Sequence, residues 1–331
     1  MNPYLYADFW NFFLIFFSRI FLFLQGKVPL DALAVDEIQI FVISGVAISS
    51  ACLGTFLTLR KMTMLANAMS HTILIGIIIA FILTSSLESQ KINITAMLIA
   101  AIGMGIITTF LTQFLHRFIQ LQEDASIGLV FTGLFALGII VATLWTRNLH
   151  LGLEAVMGNA DALHADDLTL VMTVLGLNLL LITLFFKEYT ITSFDPALSQ
   201  ALGFSLLFFD YLLMVQVSIT VISAFRAVGV VMVLAFLTAP PLMARFMVHR
   251  LKSMLILSSL YGIIASFLGV AIARHLLSIQ GIAMSTAGMV VCVLVIMFLL
   301  HMVYITFVRN NASLEEARKA SSKTSVKQVI D

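Results

Sequence analysis

The sequence predicts an all-α, polytopic membrane protein with about eight to ten transmembrane helices. Of its 331 residues, 61% are hydrophobic and 11% charged, against about 25% charged in ordinary soluble domains. Mean hydropathy is +1.08, and apolar runs long enough to cross a hydrocarbon core, roughly 20 residues, recur along the chain. A water-soluble globular fold is excluded. Backbone groups in lipid must be satisfied within their own segment, so these runs form helices despite their many β-branched residues.

In order, the runs are Phe9 to Gln25, Ile38 to Leu59, Met64 to Ser85, Ile92 to Leu115, Ser126 to Trp145, Leu168 to Phe186, Leu207 to Ala224, Ala227 to Phe246, Ser253 to Ala273 and Met284 to Val308. The first has Asp8 ahead of it and no small-residue cleavage site behind it, so it reads as a retained helix. Cys52 and Cys292 lie in apolar runs and read as small core residues rather than a disulfide framework. The connecting loops are short, so residues 1–308 are expected to form one transmembrane domain. Residues 309–331, rich in Ser, Lys, Glu and Ala, read as a cytoplasmic tail, either a helix end or a disordered extension.

Cations set the orientation. A cytoplasmic amino terminus places Arg60, Lys61, Arg117, Lys187, Arg245, Arg250, Lys252, Arg309, Arg318, Lys319, Lys323 and Lys327 inside, twelve of the 18 basic residues. Lys27, Lys91, Arg147, Arg226 and Arg274 fall outside, and Arg19 lies within the first helix. Both termini are then cytoplasmic. The AFRAVG turn around Arg226 reads either as a surface turn or as a break within the membrane.

Three stretches stand in a characteristic order: LRKMTMLANAMSHTILIGIIIAF from Leu59 to Phe81, EDASIGLVFTGLFALGI from Glu123 to Ile139, and SFDPALSQALGF followed by RAVGVVMVLAFLTAPPLMARFM, from Ser193 to Phe204 and Arg226 to Met247. Together they resemble the permease subunits of ABC importers for zinc, manganese and iron. The resemblance implies a bacterial inner-membrane assembly of two permease chains, alike or different, embedded in lipid. Cytoplasmic ATP-binding subunits and an extracytoplasmic metal-binding protein complete it. The sequence contains no G-x-x-x-x-G-K-[ST] phosphate loop, so ATP hydrolysis is expected on another chain, and this one is read as a transport subunit rather than an enzyme. The metal is cargo; no permanent cofactor and no nucleic-acid partner is expected.

Asn67 and His71 stand four residues apart in the third run and project from one helix face. Polar groups inside a membrane helix are costly unless they face the bundle interior or a watery path. An imidazole nitrogen and an amide oxygen both suit a divalent transition metal. The family pattern carries Asp where this chain has Asn67, so the charge is missing and the ion is held less tightly or with help from another ligand. The alternative is a buried His71 hydrogen-bonded to a neighbouring helix.

Asp195 to Gly203 has the marks of a short helix. Asp195 accepts from the first free amides, Pro196 suits the first helical position, and Gly203 suits a left-handed stop. Leu198, Ala201 and Leu202 give it an apolar face. The resemblance implies that this is the coupling helix seated on the ATPase; the alternative is an interfacial helix lying on lipid.

The outer loop carries His150, Glu154, Asp161, His164, Asp166 and Asp167. Asp161 and His164 share a face if the loop is helical, and such a cluster attracts cations or serves only as a solvated face. Asp210 reads as an acid favoured by the helix dipole at a first turn or as a transport residue, and His301 as lining the path or bonded to a neighbour. Two rival functions stay open: an ABC permease for a chelated metal or vitamin, which needs a wider path poorer in ligands, and an ion-coupled secondary transporter, which needs intramembrane acids that hardly occur here.

Overall fold

The computed structural model describes residues 3–4, 7–27, 29, 33–84, 94–145 and 160–307; the expected tail, 309–331, and loop residues 146–159 lie outside them. Each of the ten expected runs contains a helix among the described residues. In chain order the helices are α1 (Phe9–Leu24), α2 (Val35–Leu59), α3 (Thr63–Thr84), α4 (Ile94–Phe118), α5 (Glu123–Trp145), α6 (Ala165–Leu184), α7 (Phe186–Phe194), α8 (Pro196–Ala201), α9 (Leu206–Val228), α10 (Val230–Met247), α11 (Leu251–His275) and α12 (Thr286–Phe307). Only α7 and α8 are short connectors. Among the described residues, seven helices are long and apolar enough to cross a membrane, and α3 and α4, at 22 and 25 residues, have the length to do so.

Three helices begin three residues before their apolar runs. α2, α5 and α6 start at Val35, Glu123 and Ala165 because the acids Asp36 and Glu37, Glu123 and Asp124, and Asp166 and Asp167 fall in their first turns, where the amino-terminal dipole favours negative charge. Hydropathy marks the lipid-facing length and misses this first polar turn. In α2 the gain is visible as a hydrogen bond: the Ala34 N–H donates to the Glu37 carboxylate at 2.8 Å.

α2 is the central post, buried over most of its length and packed against α6, α9, α10 and α11. α3 packs on α4 and α5, and α4 on α9, which joins the two groups. α1 lies against α11, where Phe16 meets Phe267 edge-on at 5.1 Å. With no water to expel between helices in lipid, small residues and polar contacts hold such a bundle. Gly105 on α4 lies so close to α9 that an added Cβ would stand 2.0 Å from the Ser218 hydroxyl. Asn178 of α6 donates to Ser49 of α2 and Thr220 of α9 at 2.6 and 2.7 Å, with all three side chains buried.

The AFRAVG segment ends in a one-residue break. Gly229, at φ 83° and ψ 162°, separates α9 from α10, a backbone that residues with a Cβ rarely adopt. Ala227, Val228 and Val230 around it are at most 2% exposed. The break is therefore buried within the bundle rather than presented as a surface loop.

Candidate translocation path and coupling surface

The path candidate begins at the joint between α2 and α3. Arg60 caps α2, Lys61 takes the left-handed conformation at φ 61°, and the Met62 and Lys61 amides donate to the Leu57 and Thr58 carbonyls at 2.9 and 3.3 Å. This pattern satisfies the free carbonyls at a helix end. α3 follows without interruption, so Asn67 and His71 stand one turn apart on a continuous helix. Asn67 is exposed on the single chain and His71 half-buried, with its ring 5.4 and 5.8 Å from the Phe131 and Phe135 rings of α5. His71 thus packs on aromatic neighbours. Among the described residues, no group of three or more His, Cys, Asp or Glu side chains is gathered where it could hold a metal ion.

At the opposite end of α2, the outer-loop candidates are engaged structurally. Asp161 lies in a short 3-10 turn, Ala160–Ala162, and its carboxylate accepts from the backbone and hydroxyl of Thr286 at the start of α12. His164 sits just before α6 in an extended conformation and its backbone N–H donates to Asp167 at 3.1 Å. Both side chains are exposed, on separate elements. His150 and Glu154 lie outside the described residues. A cavity of about 530 Å³ opens here, lined in part by Asp36, Gln39, Asp161, Arg274 and Thr286.

At the α6–α9 connection the expected short helix is present with both of its stops. Asp195 Oδ1 accepts from the Leu198 amide at 2.9 Å, and Pro196 is the first helical residue. Gly203 has φ 82°, and Phe204 and Gly203 donate to the Ser199 and Gln200 carbonyls, each at 3.0 Å. Leu198 and Leu202 are about half exposed, as is Phe194. α7 is anchored from beneath. Arg60 donates through Nε to Ser193 at 3.1 Å and through Nη2 to Thr192 at 2.6 Å, both on α7, and pairs through Nη1 with Asp210 on α9. Its guanidinium lies 5.7 Å from the centre of the Tyr189 ring. The Tyr189 hydroxyl donates to Gln216 of α9 at 2.6 Å; burial pushes this phenol up, so it stays protonated and donating.

The model of the ABC 3 transport family matches residues 37–305. The chain belongs to the ABC 3 transport family. It is 39% identical over 257 residues to the manganese transport system membrane protein MntD of Bacillus subtilis, covering 73% of this chain and 85% of that one. It is 35% identical over 271 residues to the zinc transport system membrane protein TroD of Treponema pallidum, covering 78% and 72%. Among solved structures it is similar to PsaBC of Streptococcus pneumoniae in complex with Fab, with a TM-score of 0.67 and 29% identity over 80% of this chain and 89% of that one.

Against this family background, the polar residues that sequence reasoning undervalued stand out. Asp210 is not only an acid near a helix start; it is the ion-pair partner of Arg60. Arg19, within the first helix, donates to Glu37, which also accepts from the Tyr4 hydroxyl at 2.9 Å. Arg274 lies 3.6 Å from Asp36. Each pair joins residues far apart in sequence. The signal was the cost of leaving a charge beside lipid, which requires a partner without saying which one. His301 Nδ1 lies 3.5 Å from the Tyr261 hydroxyl of α11.

Proposed function

We propose that this ABC 3 transport chain is the membrane-spanning permease of an ATP-driven importer for a divalent transition-metal ion: manganese, zinc or iron. The observation that carries the reading is the family match over 37–305, together with relatives named for manganese and zinc transport. The chain sits in a bacterial inner membrane with both termini cytoplasmic. It supplies the path; a separate cytoplasmic subunit binds and hydrolyses ATP, and an extracytoplasmic protein delivers the metal.

In this reading Asn67 and His71 hold the ion in transit. Asn67 is exposed on the single chain, and a polar group inside a membrane helix faces protein or a watery path. In this reading a second permease chain completes the pore. Imidazole and amide ligands bind manganese, zinc or iron without a full negative charge, which suits a site that must release its ion. Asp161 and His164 contribute outer charge near the entrance. α8, with Asp195, Pro196, Leu198, Leu202 and Gly203, is the coupling element, and its exposed leucines are the surface offered to the ATPase.

Cells expressing the permease with its ATP-binding subunit and metal-binding protein test this directly. Accumulated manganese, zinc and iron are measured for the wild type and for His71→Ala at matched membrane levels. The wild type is expected to raise one of these metals and His71→Ala to abolish the rise; unchanged accumulation in the variant removes His71 from the path.

A further inference from the structure

We infer that Arg60 is the joint through which movement of α8 reaches the metal-path helix α3, an inference that rests on the permease reading. Arg60 occupies a place shared by four elements. Its backbone caps α2, and residues 60–62 are the whole link to α3. Its side chain grips Thr192 and Ser193 of α7 and Asp210 of α9.

The mechanical continuity is short. Asp195 is the single residue between α7 and α8, so a displacement of α8 pulls directly on Thr192 and Ser193. Those hydroxyls are held by separate nitrogens of one planar guanidinium, whose side chain is only 5% exposed. Thr192 itself donates back to the Glu188 carbonyl at 2.8 Å, so its oxygen accepts from Arg60 at a fixed position on the α7 surface. A rigid fork making several directional bonds transmits force and rotation, where a point charge on a flexible stem does not. On the other side, the Arg60 backbone leads into the left-handed Lys61 and then into the helix bearing Asn67 and His71.

A contact that only anchored α7 would weaken the fold and lower every rate together. A transmitting contact has a different signature: without it, ATP is hydrolysed while the path does not respond. Arg60 is a positioning residue in this account and touches neither ATP nor metal.

The test uses the complete transporter, with ATP-binding subunit and metal-binding protein, reconstituted in vesicles and supplied with manganese and, in parallel, zinc and iron. The quantity read is ATP hydrolysed per ion taken up. Arg60→Lys and Thr192→Val are each expected to raise it at least threefold and Arg60→Ala at least tenfold, with the assembled complex recovered in normal yield. If Arg60→Ala does not assemble, Arg60→Lys and Thr192→Val carry the test. An unchanged ratio in them, whether both rates persist or both fall in step, overturns the inference. Failure of the wild type to take up any of the three metals overturns the permease reading instead, so the two failures are distinguishable.

Discussion

The α-carbon of Gly54 on α2 faces the carbonyl of Leu237 on α10, so closely that a Cβ at position 54 would stand 2.0 Å from that oxygen. The proline pair in α10 makes this approach favourable. Pro241 has no N–H to return to the carbonyl four residues back, which leaves the Leu237 oxygen open to the Gly54 α-hydrogens, a weak but recurrent contact between membrane helices. Gly54→Ala is expected to cost about 1–3 kcal/mol, the usual penalty for overpacking, seen as a lower Tm in detergent. Gly176→Ala, which meets nothing within 4 Å and replaces glycine in a helix interior, should not lower Tm.

Asn178 holds α6 to α2 and α9 through two donated bonds, while its own carbonyl oxygen is buried without a partner among the described residues. Interhelical hydrogen bonds in membranes contribute only about 0.6 kcal/mol on average, and the unsatisfied oxygen offsets part of that. Asn178→Leu is therefore expected to lower stability by no more than about 1 kcal/mol. Asn178→Asp should lower it further, because it replaces a donor with a buried charge. Thermal unfolding of the two variants side by side gives the order.

Gly203→Pro is expected to abolish metal uptake while leaving the protein inserted. Proline fixes φ near −65°, against the observed 82°, and removes the N–H that Gly203 donates to Gln200. Asp195→Ala removes one cap bond and should cost about 1 kcal/mol locally, giving a partial loss. Quantitative membrane blots alongside uptake separate lost coupling from lost protein.

Glu37 accepts from Tyr4, Arg19 and the Ala34 amide. Removing it takes a carboxylate partner from Arg19, whose side chain is about a quarter exposed. Glu37→Ala should loosen α1 from α11, and a cysteine placed at Phe16, fully buried in the native protein, should become reactive to a thiol reagent. Glu37→Gln, which keeps an acceptor oxygen, should show a smaller effect.

The long apolar helices were legible because lipid imposes one length and one kind of backbone bonding on every crossing. The short helix at Asp195–Gly203 was legible because its two stops are local chemistry, a cap acid and a left-handed glycine. What remained hidden is pairwise. The Arg60–Asp210 contact spans 150 positions, and nothing local to either residue names the other. The first turns of α2 and α6 were missed because hydropathy counts acids against a helix, whereas the helix start welcomes them. For His71, spacing gave the correct face relation to Asn67 and had no means of revealing Phe131 and Phe135 as its neighbours on α5.

The central claim is that this polypeptide conducts a metal ion with energy supplied by another chain. The most direct measurement is ATP-dependent uptake of labelled manganese, zinc and iron into proteoliposomes containing the permease, its ATP-binding subunit and its loaded metal-binding protein. The account predicts accumulation of at least one of these metals that requires both ATP and the second subunit. Uptake that proceeds equally without them, or no uptake of any of the three, would contradict it.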